Sequence, residues 1–438
     1  MDDLSQLTPK RNKKKLDLFK NYLKKIIQKI KPKKISPFKN NDKIETKDIY
    51  EDNKNQITTK NSIIKKRIAS IDLLRIISMI GIVYNHVLFQ GKGIYKYNIY
   101  KIKIKSSLTY IFWHNNVYSL ISGIVGYKST KYSNLFYLWL SAVFYSLGFH
   151  YYYLKYKKGA RLFGELYAEY YPVVYGRYWY FSSYFGMFIF LPAINKGVQY
   201  LNKSEFNLLV MSIFGIFVFW HTYHNSKNDF FKISGGLSTI WLLCLYIMGA
   251  YIGKFNIKYT GKKKYIICFI YFLIFLLLCY INNKYINYRI LDFNVNNKTK
   301  MTNFIKRLIS DNSNSVVKTS QAFLITLFFL QLKYNKYLSK FFTFLGPLTF
   351  GVYLIHVNNN VIINYLSKLL DGESLYLTSN EVIIMLILKA IKVFIQCIII
   401  EYLRHLLFTI LKIRKICMFI EKTAFKIIKT RLDNKIIS

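Results

Sequence analysis

Apolar residues in this chain gather into long runs instead of forming narrow stripes on otherwise polar helices. From residue 68 onward these runs approach or exceed the roughly 20 helical residues that cross a hydrocarbon core. They predict about ten spans, at 68–90, 108–127, 134–154, 179–192, 206–221, 236–253, 265–282, 319–333, 345–367 and 381–400. The predicted fold class is therefore all-α, a polytopic transmembrane helix bundle. The chain divides into a basic tail over 1–66, a membrane domain over 67–412 and a second basic tail over 413–438. No internal repeat is visible.

The polar segments suggest an orientation. An even number of spans puts both basic tails on one face, the cytoplasmic one by the positive-inside rule. The linker at 254–264 with its GKKK, and the one carrying Lys333, Lys336 and Lys340, fall on that face. The loop at 368–380, with Asp371 and Glu373, falls on the other. KYKKGAR at 155–161 also falls outside and breaks the pattern, while 283–318 reads as a polar loop. Within the first tail, Leu16, Phe19, Leu23, Ile26, Ile27 and Ile30 recur at helical spacing opposite lysines. That stretch fits a helix lying on an anionic membrane surface, or a partly helical, otherwise disordered tail. The basic, apolar-poor opening does not read as a cleavable signal peptide.

Composition adds little to this picture, but charge does. Of 438 residues, 53% are hydrophobic and 18% aromatic, and 64 Lys and Arg against 21 Asp and Glu give a net charge of +43. Such a charge can mark a nucleic-acid partner, but no stacking or groove-reading motif accompanies it. About a third of the basic residues precede Ile68, as expected of a chain beside an anionic lipid bilayer. Cys244, Cys268, Cys279, Cys397 and Cys417 form no CxxC pair and lie mostly in apolar runs, so neither a metal site nor a disulfide framework is expected.

The candidate chemistry lies on the first span, RIASIDLLRIISMIGIVYNHVLFQ. Asp72, Arg75 and His86 are ionisable groups in or at the edge of an apolar helix, where such groups usually face a bundle interior or a cavity. The eleven-residue step from Arg75 to His86 returns to within roughly 20° of its start and rises about 16 Å. Asp72 lies within reach of Arg75 as an i,i+3 pair. The three share a face with Met79 and Ile82, along which an extended ligand could lie. The same spacing also fits an interfacial Asp–Arg anchor with His86 near the opposite interface. His114, His150, His221, His224 and His405 fall near span ends, where surface positions explain them.

IDLLRIISMIGIVYNHV resembles the first helix of the membrane-bound acyltransferase-3 family, in which an Arg and a His separated by ten intervening residues share one helix. Further resemblances follow in the family's order: NNVYSLISG with Ser122 and Gly123, RYWYFSSYFGMFIFLPAINK with Pro192 and Asn195, ISGGLSTIWLLCLYIMGAYIGKF, and LTFGVYLIHVNNNVI with Tyr353 and His356. Together they cover about residues 68–412. The chain is most similar to bacterial O-acyltransferases of surface polysaccharides or their lipid-linked precursors. The resemblance implies transfer of an acyl group, usually acetyl, from acyl-CoA (acetyl-CoA) as donor to a sugar or glycan acceptor. It makes His86 the catalytic candidate and Arg75 the donor-binding candidate; Asp72, one turn before Arg75, is a further candidate that orients Arg75 or neutralises it in the empty protein. Where family members carry an Arg-x-Arg pair before the third helix, this chain has Lys128 and Lys131, which offer point charges in place of planar forks.

Histidine suits a general base for a sugar hydroxyl, because it titrates near neutral pH. No Gly-x-Ser-x-Gly elbow or base-paired cysteine suggests a covalent acyl-enzyme. Trp179 and Tyr180 are candidates for stacking on a sugar, or for interfacial aromatics. Tyr353 and His356 are candidates for acceptor binding or for helix packing. The competing function is a glycan or lipid transporter or flippase, which the absence of repeats disfavours. The expected location is the bacterial cytoplasmic membrane.

Overall fold

A computed structural model describes residues 67–111, 113–156, 166–224, 229, 231–294 and 312–437. The amphipathic segment at 16–30 and most of KYKKGAR lie outside the described residues, which contain helices and no strands. The principal helices are α1 (Ala69–Phe89), α2 (His114–Gly126), α3 (Tyr132–Tyr156), α4 (Trp179–Tyr200), α5 (Lys203–Ile213), α6 (Thr239–Phe255), α7 (Gly261–Asn294), α8 (Val316–Gln331), α9 (Lys336–Leu345), α10 (Thr349–His356), α11 (Ser379–Ile410) and α12 (Ile413–Ile437).

Five stretches among the described residues are long and apolar enough to cross a membrane: Ala69–Phe89, Lys203–Tyr223, Gly261–Ile286, Lys336–His356 and Ser379–Ile410. Thr239–Phe255 and Val316–Gln331 are shorter apolar helices. The two extremes of burial give the bundle its inside and outside. In α1, 67% of the apolar window is buried, whereas in α7 the share is 17%. Accordingly α1 is surrounded by α2, α8, α9, α10 and α11, while Phe269, Phe272, Leu273 and Leu277 of α7 point outward as lipid-facing residues do.

α2 and α6 pack backbone to backbone. A Cβ on Gly249 would come within 2.1 Å of the Leu120 carbonyl oxygen, one on Gly253 within 2.4 Å of that of Ile124, and one on Gly123 within 2.0 Å of that of Tyr246. Gly249 and Gly253, four residues apart on α6, form the small-residue seam that lets membrane helices approach closely where lipid supplies no hydrophobic drive. Ser119 tightens the seam by donating to the Leu242 carbonyl at 2.6 Å.

Two expectations need correction. The polar loop at 283–318 is shortened at both ends. α7 continues to Asn294, since no Gly or Pro interrupts residues 262–294, and α8 starts at Val316, capped by the Ser315 side chain accepting from the Lys318 amide. The ninth span lies nearer the N-terminus than 345–367. It covers Lys336–His356 with a tightened turn at Gly346–Leu348, and Asn358 caps a separate short helix, Asn359–Asn364. Within the basic C-terminal segment, residues 413–437 form α12, which follows a turn at Lys412 (φ 53°) and packs back on α3.

Candidate active site

A cavity of about 720 Å3 runs along the face of α1 that periodicity singled out, with Arg75, Met79, Ile82 and His86 all on its wall. α2 contributes His114, Asn115, Tyr118 and Ser122, and α4 contributes Trp179, Tyr180, Phe181 and Tyr184. The turn before α10 supplies Gly346 and Pro347 and α10 supplies Thr349, Phe350 and Tyr353, while α11 and α12 supply Glu401, Arg404, His405 and Arg414.

At one end the cavity is charged. Asp72 is 1% exposed and binds two guanidiniums of its own segment. Arg67 donates from Nε at 2.9 Å and Nη2 at 2.5 Å, and Arg75 from Nη1 at 2.6 Å. Tyr118 fixes the backbone beneath them by donating to the Arg75 carbonyl at 2.7 Å. Opposite, the buried Glu401 accepts from Arg404 Nε at 2.9 Å and from the Tyr145 hydroxyl at 2.6 Å. Arg404 also donates to Ser141 Oγ at 3.1 Å. Ionised groups at this depth are tolerated because each is paired and hydrogen-bonded.

Two glycines make this pairing possible. A Cβ on Gly346 would lie 2.6 Å from Asp72 Oδ1, and one on Gly351 would lie 2.0 Å from Glu401 Cδ. The stretch GPLTFG thus lets two carboxylates rest against the backbone of one span, from opposite neighbours.

The other end is aromatic. The rings of His86 and His356 meet edge to face, with centroids 5.1 Å apart at 82°. His356 is fully buried, and its Nδ1 lies 2.6 Å from the Val352 carbonyl oxygen. A carbonyl only accepts, so Nδ1 carries the proton and Nε2 keeps its lone pair. Nε2 of His356, Nδ1 of His86 and the Tyr180 hydroxyl are buried without a hydrogen-bond partner among the described residues. Buried polar atoms are usually paired, so this group of unpartnered atoms marks a place built for something else. Tyr353 accepts from the Tyr180 amide at 3.2 Å, and its ring lies 6.3 Å from that of Tyr180 and 6.4 Å from that of His356. A second, mostly apolar cavity of about 660 Å3 lies between α3, α10 and α11, with His356 on its wall.

Of the residues singled out in the sequence, Arg75, His86, Trp179, Tyr180 and Tyr353 thus share one cavity. Asp72 lies behind Arg75, and His356 behind His86. Lys128 and Lys131 do not join them: both are exposed on the turn between α2 and α3, off the cavity wall. His114 and His150, expected at the surface, are buried, 4% and 6% exposed, because α2 and α3 are interior at those turns. His405 lines the cavity, and His221 lies 2.9 Å from the Asn314 side chain. Sequence reading missed Arg67, Glu401, Arg404 and Arg414. Glu401 and Arg404 carry the same signal as Asp72 and Arg75, an i,i+3 charge pair in an apolar run.

The fold and the cavity define a polytopic helical membrane protein with an internal chamber, charged at one end and imidazole-bearing at the other. The acyltransferase-3 family, described as an acyltransferase domain, matches residues 68–402, and the chain belongs to it. It is a membrane acyltransferase. No curated protein and no solved structure matches the chain.

Proposed function

We propose that this acyltransferase moves an acyl group, acetyl in the simplest case, from acyl-CoA to a sugar hydroxyl of a surface glycan or its lipid-linked precursor. The observation that carries the reading is the unpartnered His86 ring nitrogen, on one cavity wall with the guanidinium of Arg75. The helical rise of about 16 Å between the two residues suits a long donor. Its phosphorylated end sits at Arg75, and its thioester reaches the imidazole.

In this reaction His86 accepts the hydroxyl proton as the sugar oxygen attacks the thioester carbonyl carbon. The tetrahedral intermediate collapses with loss of the C–S bond, and the imidazolium returns the proton to the departing thiolate. Histidine suits both halves because it is basic enough to accept and acidic enough to return a proton near neutral pH. The unpartnered Tyr180 hydroxyl is a donor available to the oxyanion. Trp179 and Tyr180 offer ring faces to the sugar, Tyr353 holds the Tyr180 backbone in place, and His356 packs edge to face behind His86.

Asp72 orients Arg75 and offsets its charge when the donor is absent. The arginine end follows the basic N-terminal tail, so the positive-inside rule places donor entry at the cytoplasmic face of a bacterial membrane. His86→Ala should abolish acetyl transfer from labelled acetyl-CoA, while the protein still inserts and is still stabilised by acetyl-CoA in detergent. Full transfer by His86→Ala would remove His86 from the chemistry, and wild-type protein indifferent to acetyl-CoA would remove the donor.

A further inference from the structure

The charged end of the cavity has a surplus of arginine. Arg67, Arg75, Arg404 and Arg414 line it, and the carboxylates beside them are Asp72 and Glu401. Asp72 is shared between Arg67 and Arg75, and Glu401 is taken by Arg404. Arg414, at the start of α12, forms no ion pair with a carboxylate among the described residues. Four guanidiniums against two carboxylates leave positive charge to be met by a ligand.

The arrangement of the surplus is specific. Tyr137 of α3 meets two guanidiniums, with Arg404 Cζ 5.5 Å and Arg414 Cζ 5.2 Å from its ring centre. Arg404 Cζ also lies 4.5 Å from the centre of the Phe408 ring. Arg404 is held fast, donating to Glu401, to the Tyr137 hydroxyl at 3.3 Å and to Ser141 Oγ at 3.1 Å, whereas the exposed Arg414 lies against the Tyr137 ring with no carboxylate on its N–H groups, the preparation a phosphate site needs. The two lysines in place of the family's Arg-x-Arg pair are exposed and off the cavity wall. Arg67, Arg404 and Arg414 all lie outside the residues 68–402 that match the family.

We infer that Arg414, held against Tyr137, forms the site for the outermost phosphate of the acyl donor's nucleotide end, whose remaining phosphates lie toward Arg75, in place of an Arg-x-Arg pair before the third helix. The inference rests on the acyl-CoA reading and names which phosphates are held and by what. Arg414, exposed and free of a carboxylate, takes the outermost phosphate. Arg404, its N–H groups engaged by Glu401, Tyr137 and Ser141, adds positive charge beside that phosphate and holds the Tyr137 ring on which Arg414 rests.

Coenzyme A and dephospho-coenzyme A differ only by the 3′-phosphate, so they test this directly. Binding of each to the purified full-length protein in nanodiscs is measured by calorimetry for wild type, Arg414→Glu and Lys258→Glu, the last an equal charge change on an exposed loop residue off the cavity. Arg414→Glu should weaken coenzyme A by tenfold or more and dephospho-coenzyme A by less than about threefold, with Lys258→Glu unchanged for both; the larger loss is the size expected of a lost charge-assisted contact. Equal coenzyme A affinity in wild type and Arg414→Glu overturns the assignment and leaves the donor reading standing. Equal losses for both nucleotides overturn the assignment of the 3′-phosphate to Arg414. If wild type binds farnesyl diphosphate through Arg414 but neither nucleotide, the phosphate belongs to a lipid carrier, and the donor reading falls with the inference.

Discussion

Replacing Gly249 with alanine puts a methyl group where the α2 backbone already stands. The added carbon would lie 2.1 Å from the Leu120 carbonyl oxygen and 2.8 Å from its carbon, whereas ordinary contact begins near 3.4 Å. Neither neighbour is a side-chain end that can swing aside, so α6 and α2 must part by about 1 Å, and overpacking of this kind costs roughly 1–3 kcal/mol or more. The damage should reach the cavity, because α2 also carries Tyr118, whose 2.7 Å bond to the Arg75 carbonyl would stretch. Thermal unfolding in detergent, followed by loss of the monodisperse peak in size-exclusion chromatography, should give a clearly lower midpoint for Gly249→Ala than for wild type. The comparison that isolates the seam is Gly148→Ala or Gly197→Ala. Both sit within helices where a new Cβ meets nothing within 4 Å, and there alanine should be neutral or stabilising by about 0.5–1 kcal/mol. If Gly249→Ala melts with Gly148→Ala, the two helices are not in backbone contact and the account of the seam is wrong.

Two further outcomes are expected of the charged end. Glu401→Ala removes the carboxylate from the buried Arg404 and should destabilise the protein by about 3–5 kcal/mol; a double variant Glu401→Leu, Arg404→Leu should recover much of that loss in the same melting assay, and no recovery would contradict the pairing. Asp72→Asn leaves Arg67 and Arg75 without their counter-charge, so coenzyme A affinity should hold or tighten while turnover falls by about tenfold or more as Arg75 loses its orientation. A tenfold weaker affinity would mean that Asp72 touches the donor itself.

The parts of the site legible in the sequence were those set by a single helix. Arg75, Met79, Ile82 and His86 line the cavity as their spacing required, since a 3.6-residue period needs no knowledge of neighbours. Glu401 and Arg404 carried the same signal, but with the last span expected to end near residue 400 they fell at its edge, whereas α11 runs to Ile410. The roles of Gly346 and Gly351 were not legible, because what a glycine makes room for is decided by which helix packs against it. The burial of His114 and His150 was hidden for the same reason. Lys128 and Lys131 became candidates by their place in a family pattern, and the turn that carries them points away from the cavity.

Each buried carboxylate of the charged end finds its guanidinium on its own stretch of chain: Asp72 at Arg67 and Arg75, Glu401 at Arg404. During synthesis the first of these helices must rest in lipid long before α11 exists, and a lone charge there would oppose insertion. With its counter-ion already one turn away, each helix can enter the bilayer as a compensated unit, with no need for its future neighbours. The positively charged chamber then comes into being only when the two ends of the membrane domain meet. Biogenesis and ligand binding thus make opposite demands on the same arginines, and local pairing meets the first without exhausting the charge required by the second.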